Sequence, residues 1–412
     1  MATTSTVETL SNADEAAEHI ARQAFADAQV GTVGLELESH TVELTVPHRR
    51  VAWNRLGEIA DSVPDLPGSS AITFEPGGAV ELSGPPHADV WSAISSMRAD
   101  YSILTSTYRA AGVALASLGT DPLRAPERVN PGARYAAMAS HFGALGFGET
   151  ALQMMTCTAS LQVNVQAGTP GQWRDRFALA QQLGPTMAAL SASSPMLAGR
   201  RTGYRNTRQW IWDNLDPGRC APVEIGNDPT ESWVRYALRA PVMLVRNKEG
   251  ADAVVTHVPF QSWADGSVPL GGRAPTTEDL DYHLTTLFPP VRPRRWLELR
   301  YLDAAPDWWW PALAFTAVAA LDDVRVADIA AEAVEPVGEA WDAAARIGLE
   351  DCALHAAGHR LVSAACAVAP PELAADMAFL LERVEQGRCP ADDFIDNVAE
   401  YGVEKAFSGA SQ

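Results

Sequence analysis

Four segments of this chain alternate between apolar and polar side chains, which is the pattern of a β-strand with one apolar and one polar face. They are residues 32–40, a hairpin at 71–82, residues 160–166 and residues 296–302. The hairpin turns at Pro76-Gly77-Gly78, because proline and glycine favour a reversal of the chain. The polar positions of these segments carry Glu36, Glu38, Glu75, Glu81, Gln162, Asn164, Glu298 and Arg300.

The identity of these polar residues bears on what the polar face does. A solvated outer face is common in antiparallel sheets, and the alternation alone favours that interpretation. However, Glu, Asn and Gln are not favoured in strands, and clustered carboxylates repel one another unless a cation neutralises them. Mg²⁺ prefers oxygen ligands and commonly bridges protein carboxylates to substrate phosphates. The polar face therefore contains the residues that a site for Mg²⁺ and ATP needs.

The remaining sequence predicts helices and loops around these strands. Helical periodicity covers residues 11–27, 88–112 and 170–190, and the chain is rich in alanine and helical after residue 306. Residues 119–133 and 199–230 predict long irregular segments. Strands separated by helices and irregular segments indicate an α+β fold. We expect a single catalytic domain over residues 1–412, with a flexible tail at 1–10, the sheet core at 31–305 and helical support at 306–405.

Charge and composition exclude several classes of protein. The net charge of −20 makes nucleic acid an unfavourable partner. Lys248 and Lys405 are the only lysines, and neither follows glycine, so the Gly-Lys-Ser/Thr ending of a Walker phosphate loop is absent. ATP would therefore have to be held by metal ions and arginines. The five cysteines form no Cys-x-x-Cys pair, which argues against a disulfide framework or a zinc ribbon.

Nothing in the sequence predicts export or membrane insertion. Residues 1–9 have no basic residue before an apolar run, as a signal peptide would. The longest apolar stretch, residues 308–321, has 14 residues and includes a proline, whereas a membrane helix needs about 20. We therefore expect a cytoplasmic protein without a membrane partner.

Four segments resemble the glutamate–cysteine ligase family of the plant type, and together they span residues 31–305. They are Gly34-Leu-Glu-Leu-Glu38, Phe74-Glu-Pro-Gly-Gly-Ala-Val-Glu-Leu-Ser83, Met154-Met155 leading to Gln162-Val-Asn164, and His283-Leu-Thr-Thr-Leu-Phe-Pro289 leading to Leu297-Glu-Leu-Arg300. The resemblance implies a glutamine-synthetase-like catalytic funnel, in which a curved and mainly antiparallel sheet has glutamate rows inside and helices outside. The arginine-rich, lysine-poor composition resembles the actinobacterial branch, which is associated with ergothioneine biosynthesis.

The resemblance also implies an activity. Members of this family join the γ-carboxyl of L-glutamate to the amine of L-cysteine, with ATP as co-substrate and two or more Mg²⁺ ions as cofactors, through a γ-glutamyl phosphate. Phosphorylation gives the carboxylate a leaving group, and phosphoryl transfer depends mainly on positioning and charge neutralisation. The family sequence Arg-Gly-Ala-Asp-Gly-Gly is replaced here by Arg300-Tyr-Leu-Asp-Ala-Ala305.

The family motifs imply roles for individual residues. Glu298 and Arg300 would be catalytic, and Gln162, Asn164 and Arg300 would bind the nucleotide. Arg208 and Trp212, in a segment similar to the one that grips glutamate, would bind substrate together with His283. The metal ligands would be Glu36, Glu38, Glu75, Glu81 and Glu298.

Several alternatives stay open at this point. A ligase of the same fold could use a different amine acceptor, and a binding or regulatory protein could keep the fold without catalysis, although the complete set of five glutamates argues against the latter. Cys352, His355 and His359 share a helix face, but a structural role is favoured over a metal site. Cys157 and Trp308–Trp310 are expected to pack in the core rather than to react or to stack on a ligand.

Overall fold

The computed structural model of this chain describes residues 7–247 and 250–409. The strands of this part are β1 Val33–Glu43, β2 Ala71–Phe74, β3 Val80–Ser83, β4 Val113–Ala116, β5 Ser160–Gln166, β6 Met196–Leu197, β7 Arg200–Arg201, β8 Leu244–Asn247, β9 Gly250–Ala253, β10 Val291–Pro293 and β11 Trp296–Asp303.

The α-helices come before, between and after these strands, and the last third of the described chain is helical. They are α1 Ala13–Ala24, α2 Trp53–Asp61, α3 Val90–Ala110, α4 Ala133–Ala144, α5 Gly148–Cys157, α6 Trp173–Leu190, α7 Thr207–Asp213, α8 Pro217–Cys220, α9 Pro229–Arg239, α10 Phe260–Ala264, α11 Thr277–Leu284, α12 Trp310–Asp322, α13 Val324–Val334, α14 Trp341–Arg346, α15 Cys352–Cys366, α16 Ala374–Glu385, α17 Pro390–Tyr401 and α18 Val403–Ser408.

One seven-stranded antiparallel sheet organises the fold, in the order β10-β11-β5-β1-β3-β2, with β4 paired to the far end of β1. Because side chains alternate along a strand, Leu35, Val163 and Leu297 lie on one face of the sheet. These three side chains are at most 2% exposed, and helices α3, α6 and α12 pack against β1, β11 and β5. The α+β architecture with a mainly antiparallel sheet and a helical C-terminal third is thus confirmed.

Residues 199–230, predicted to be irregular, contain short helices. Asn206 caps α7 by accepting a hydrogen bond from the Gln209 backbone N–H, and Asp216 and Asp228 cap α8 and α9, each followed by a proline. Helices of four to seven residues, such as α7 and α8, are too short to show a clear apolar periodicity, so the capping residues were the signal in this segment.

The segment predicted to be a flexible tail is anchored where it is described. Residues 1–6 lie outside the described part of the chain, as does Lys248. Leu10 is 4% exposed, and its backbone N–H donates to the Pro275 carbonyl at 2.9 Å. Burial of this side chain holds residues 7–10 against the segment that leads into α11. Across residues 7–247 and 250–409, no helix is both long enough and apolar enough to span a bilayer.

The residues that the sequence offered for an alternative metal or ligand site differ in their burial. Cys352 is exposed, and the ring of His355 is hydrogen-bonded to the Val384 carbonyl at 2.6 Å. Cys157, Trp309 and Trp310 are fully buried, whereas Trp308 is 37% exposed. The packing roles expected for Cys157 and for two of the three tryptophans agree with this burial.

Candidate active site

The polar face of the sheet forms the floor of a cavity of about 290 Å³. Strands β1, β3, β5 and β11 supply its floor, and helices α4, α5 and α7 supply one wall that includes Met138, Met154 and Trp212. Its charged lining consists of Glu36, Glu38, Glu75, Glu81, Glu298, Arg134, Arg208, Arg292, Arg294 and Arg300. All five glutamates predicted from the sequence therefore lie in one cavity, together with five arginines.

The strand register explains how the glutamates converge. Glu36 and Glu38 are two residues apart on β1 and point to the same face. Glu38 lies opposite Glu81 on β3, and Glu36 lies opposite Gln162 on β5. Glu75 comes from the turn that joins β2 to β3, where Gly78 has a φ of +86° and donates its backbone N–H to the Glu75 carbonyl at 2.9 Å. This left-handed conformation favours glycine, which explains the Pro-Gly-Gly motif.

One side of the cavity is dominated by arginines around Glu298. Arg292 donates to both carboxylate oxygens of Glu298, at 2.5 Å from Nε and 3.0 Å from Nη2. Arg294 lies 3.4 Å and Arg300 lies 3.5 Å from the same carboxylate. Burial alone would raise the pKa of Glu298, but Arg292 and then Arg300 outweigh it and hold this pKa at about 2. Glu298 is therefore a charged anchor for the arginines.

The opposite side of the cavity is dominated by carboxylates. Burial, followed by repulsion from Glu298 and Glu81, raises the pKa of Glu36 to about 7. Burial and repulsion from Glu38 and Glu81 also raise the pKa of Glu75 well above its ordinary value. Among the described residues, no hydrogen bond or ion pair engages the Glu75 carboxylate. Negative charge is therefore concentrated here without enough local cations to balance it.

Glu38 lies between these two sides and is already well hydrogen-bonded. Its Oε2 accepts the Ser160 backbone N–H at 2.7 Å, and its Oε1 accepts the Ser160 hydroxyl at 2.9 Å and the Gln162 amide at 3.2 Å. Burial nevertheless raises its pKa, with Arg208 and the Ser160 hydrogen bonds opposing the rise. Hydrogen bonds within the protein therefore already stabilise much of the negative charge of this carboxylate.

The residues predicted to bind nucleotide are arranged on β5 and β11. Arg300 donates to the Gln162 side-chain oxygen at 2.7 Å, and both residues line the cavity. Asn164 is less accessible to a ligand, because its amide N–H donates to Glu36 at 3.1 Å and its oxygen accepts from the Trp296 indole at 2.8 Å. Asn164 therefore orients Glu36 rather than lining the cavity.

Arg208 and Trp212 each present an unsatisfied donor on α7. Arg208 is 2% exposed; its Nη2 donates to the Arg300 carbonyl at 2.8 Å, and its Nη1 lies 3.8 Å from Asp303 without forming a hydrogen bond. The Trp212 indole N–H likewise has no hydrogen-bond partner in the part of the chain that the structure describes. Buried donors without partners are costly, so a ligand that accepts from both would be bound favourably.

His283 does not lie in this cavity, and its expected contact with substrate is corrected. It is 2% exposed; its Nε2 is 2.9 Å from the Ala237 carbonyl, and its ring packs 4.9 Å from that of Phe260. Burial lowers its pKa to about 3, so the ring is neutral. The motif that contains His283 instead places Thr285 and Phe288 at the cavity.

Three further arginines line the cavity that were not predicted from the sequence: Arg292, Arg294 and Arg134. Arg292 and Arg294 alternate along Val291-Arg292-Pro293-Arg294, on and just beyond β10. That alternation was a usable signal, but a three-residue strand that contains proline is too short to recognise. Arg134 comes from α4, which the sequence did not predict as a helix.

The carboxylate side of the cavity has the chemistry of a Mg²⁺ site, although it is not a closed coordination shell. Over residues 7–247 and 250–409, no three His, Cys, Asp or Glu side chains already lie close enough together to enclose a metal ion. Mg²⁺ is usually bound by one or two protein carboxylates together with water and substrate phosphates. An open set of oxygen ligands with a carboxylate free of partners at Glu75 fits that arrangement.

Comparison with a solved structure establishes the fold class. The chain is similar to the crystal structure of glutamate–cysteine ligase from Francisella tularensis, which was solved in complex with AMP. The TM-score is 0.57 at 13% sequence identity, over 94% of this chain and 89% of the other. The protein therefore has the fold of a glutamate–cysteine ligase.

Sequence comparison then identifies the family. Residues 32–409 match the profile of glutamate–cysteine ligase family 2, and the chain belongs to that family. It is 52% identical over 397 residues to glutamate–cysteine ligase EgtA of Mycolicibacterium smegmatis, covering 96% of this chain and 94% of that protein. It is 49% identical over 404 residues to EgtA of Mycobacterium tuberculosis, with coverages of 97% and 94%. A chloroplastic glutamate–cysteine ligase of Oryza sativa is 30% identical over 264 residues, with coverages of 62% and 52%.

Proposed function

We propose that the protein is an ATP-dependent glutamate–cysteine ligase, which forms γ-glutamylcysteine through a γ-glutamyl phosphate. The observation that carries this proposal is the division of one cavity into a carboxylate side and an arginine side. Such a site accommodates a metal-bound triphosphate next to an amino acid with two carboxylates, because each negatively charged group finds opposite charge. The EgtA relatives, which align over nearly the whole chain, support the same activity.

Arg300 is proposed to neutralise the phosphoryl group during its transfer to the γ-carboxylate of glutamate. Its guanidinium faces the cavity between Gln162 and Glu298. Although burial alone would lower its pKa, Glu298 and Glu36 raise it, so the cation is permanent. Glu298 thus acts as a positioning residue that holds Arg300 and Arg292 in place. This revises its expected roles as a catalytic residue and as a metal ligand.

Arg208 and Trp212 are proposed to bind the α-carboxylate of glutamate through two N–H groups, Nη1 of Arg208 and the indole of Trp212, that form no hydrogen bond within the described residues. A carboxylate can accept from Nη1 of Arg208 and from the indole of Trp212 at the same time, and a hydrogen bond between charged groups is stronger than a neutral one. Arg208 is held for this role by its bond to the Arg300 backbone carbonyl. Binding of glutamate is thereby coupled to the strand that carries the phosphoryl-facing arginine.

Glu36, Glu75 and Glu81 are proposed to hold Mg²⁺, with Glu38 as a further ligand from its hydrogen-bonded position. The first three lie on the side where carboxylates outnumber arginines, and Glu75 has a carboxylate free of protein partners among the described residues. Mg²⁺ bound there would neutralise the phosphates of ATP and orient them. Gln162 lies between this group and Arg300, where it can contact the nucleotide.

An assay of ADP release with glutamate and a panel of amines tests the proposed function. We expect ADP release that requires ATP, Mg²⁺ and glutamate, with L-cysteine giving the highest kcat/KM among the amines. A higher kcat/KM with another amine would identify the protein as a ligase with a different amine acceptor. If no amine gave ADP release, the protein would be a non-catalytic binding protein of the same fold. The proposed product would feed ergothioneine biosynthesis in the cytoplasm, as the actinobacterial resemblance implies.

A further inference from the structure

Arg50 is a buried arginine that no sequence motif contains. It follows β1 in the segment that leads to α2, and its side chain is 6% exposed. Its Nη1 donates to the carbonyls of Gly77 at 3.0 Å and Thr156 at 3.2 Å, and its Nη2 donates to the carbonyl of Ala125 at 2.8 Å. One guanidinium therefore joins three separate segments of the chain.

Two of these segments line the cavity. The Gly77 carbonyl belongs to the turn that carries Glu75, and the Thr156 carbonyl belongs to the last turn of α5, which carries Met154 and Met155 on the cavity wall. The turn lies directly on the end of the helix, since a Cβ added to Gly77 would be 2.1 Å from the Thr156 oxygen. Arg50 supplies the hydrogen bonds across this contact.

The contact between the Glu75 turn and the end of α5 needs a cation with several hydrogen-bond donors. Carbonyls in the last turn of a helix have no partner within the helix, and they carry the negative end of the helix dipole. The planar guanidinium can reach several acceptors at fixed angles, whereas a lysine ammonium cannot reproduce that geometry. The charge of Arg50 is partly balanced by Asp121, whose Oδ2 lies 3.7 Å away and which also pairs with Arg124 at 2.7 Å.

We propose that Arg50 is a positioning residue, which fixes the turn at residues 75–78 against the end of α5 and thereby sets the location of the Glu75 carboxylate for metal binding. Arg50 does not line the cavity, so it acts through the backbone of the turn and not through contact with a ligand. The Glu75 side chain, which has no hydrogen-bond or ion-pair partner among the described residues, depends on its backbone for its position. The proposal rests on the assignment of Glu75 to the Mg²⁺ site.

Arg176 provides a matched control. It is also buried, at 8% exposed, and its guanidinium donates to the Gln166 carbonyl at 2.8 Å and to Asp322 at 2.6 Å. It lines no part of the cavity. Loss of Arg176 therefore removes a comparable buried network of hydrogen bonds without moving the turn that carries Glu75.

The test compares Arg50→Lys and Arg50→Ala with Arg176→Lys and Arg176→Ala in the full-length enzyme. Mn²⁺ serves as the probe, and its dissociation constant is measured by electron paramagnetic resonance without nucleotide. Circular dichroism and thermal melting report the fold, and steady-state kinetics give the Mg²⁺ requirement and the glutamate KM. We expect the Mn²⁺ dissociation constant to rise at least fivefold in the Arg50 variants and to change less than twofold in the Arg176 variants. The glutamate KM should stay within twofold, because Arg208 and Trp212 lie on another element.

Three results would overturn the proposal. Unchanged Mn²⁺ binding in folded Arg50 variants would show that the turn does not need the arginine. Equal weakening in the Arg50 and Arg176 variants would indicate a general loosening of the protein. Loss of the native circular dichroism spectrum in Arg50→Lys but not in Arg176→Lys would assign Arg50 to global stability alone.

Failure of the proposed ligase function can be distinguished from failure of the proposed role of Arg50. If the wild-type enzyme binds Mn²⁺ but releases no ADP with any amine, the ligase proposal fails, while the comparison between variants still decides the role of Arg50. If the wild type binds no Mn²⁺ at all, the metal assignment fails, and the role of Arg50 fails with it.

Discussion

Replacing Glu36 by glutamine should stabilise the metal-free protein while removing its activity. The pKa of Glu36 is about 7 in the folded protein, against an ordinary value of 4.5. Between these two pH values the folded state retains a proton that the unfolded state has released, so the free energy of unfolding falls as the pH rises from 4.5 to 7 and is level above 7. Glutamine has no such titration and can still accept the hydrogen bond from Asn164.

The size of the stabilisation by Glu36→Gln follows from the shift in the pKa of Glu36. One pKa unit corresponds to about 1.4 kcal/mol, so the full shift sets an upper limit of about 3 kcal/mol, and partial exposure and salt screening reduce the expected stabilisation to about 1–2 kcal/mol. For a chain of 412 residues, an unfolding entropy of about 2 cal/mol/K per residue converts this into about 1–3 °C in Tm. We expect this gain for Glu36→Gln at pH 8, and no gain near pH 4.5.

Differential scanning calorimetry in EDTA across pH 4.5–8.5 measures this effect. Glu58→Gln is the control, because it removes one carboxylate that is exposed on α2, outside the cavity. Adding Mg²⁺ with ADP should raise the Tm of the wild type more than that of Glu36→Gln. A Glu36→Gln variant that is less stable than the wild type at pH 8, or one that keeps near wild-type turnover at limiting Mg²⁺, would refute the reasoning.

Three further predictions concern the chemistry of the site. Arg300→Lys should lower kcat at least tenfold with little change in the glutamate KM, whereas Arg208→Lys should mainly raise the glutamate KM. Steady-state kinetics with each substrate varied separately measure both effects, and the opposite assignment of the two effects would contradict the prediction. Oxygen-18 in the γ-carboxyl of glutamate should appear in phosphate during turnover, and mass spectrometry that finds no transfer would exclude the acyl phosphate. His283→Asn should lower the Tm but leave the glutamate KM within twofold, and a large rise in this KM would place His283 at the substrate after all.

The sequence predicted the sheet well because the information is local. Alternation along residues 32–40, 160–166 and 296–302 predicted β1, β5 and β11 with the correct faces, since side chains of a strand point alternately to its two sides. The glutamates on β1 and β3 were identified for the same reason. The turn signal Pro76-Gly77-Gly78 predicted the hairpin turn next to Glu75, because proline and glycine favour the backbone conformation of a tight turn.

Local sequence did not reveal which motif residues face the cavity. His283 belongs to a motif similar to that of the ligase family, yet α11 turns its ring towards Phe260 and the core. The orientation of a helix depends on which of its faces buries apolar surface against distant elements, and a single segment does not encode that choice. The short helix α7 was missed as an element, although Arg208 and Trp212 on it were recognised.

The sequence by itself determined which ionisable groups the sheet presents, because strand alternation operates over short distances, and the repulsion among these carboxylates predicted a need for a cation. Only the tertiary structure decided how charge is divided within the cavity. Arg292 neutralises Glu298, whereas Glu75 has no such partner among the described residues. Arg50 joins the Glu75 turn to the end of α5, at Thr156, which lies 106 residues from Arg50 in the chain. The physical reason is that a pKa, and hence the role of a carboxylate, depends on charges and burial brought together through space.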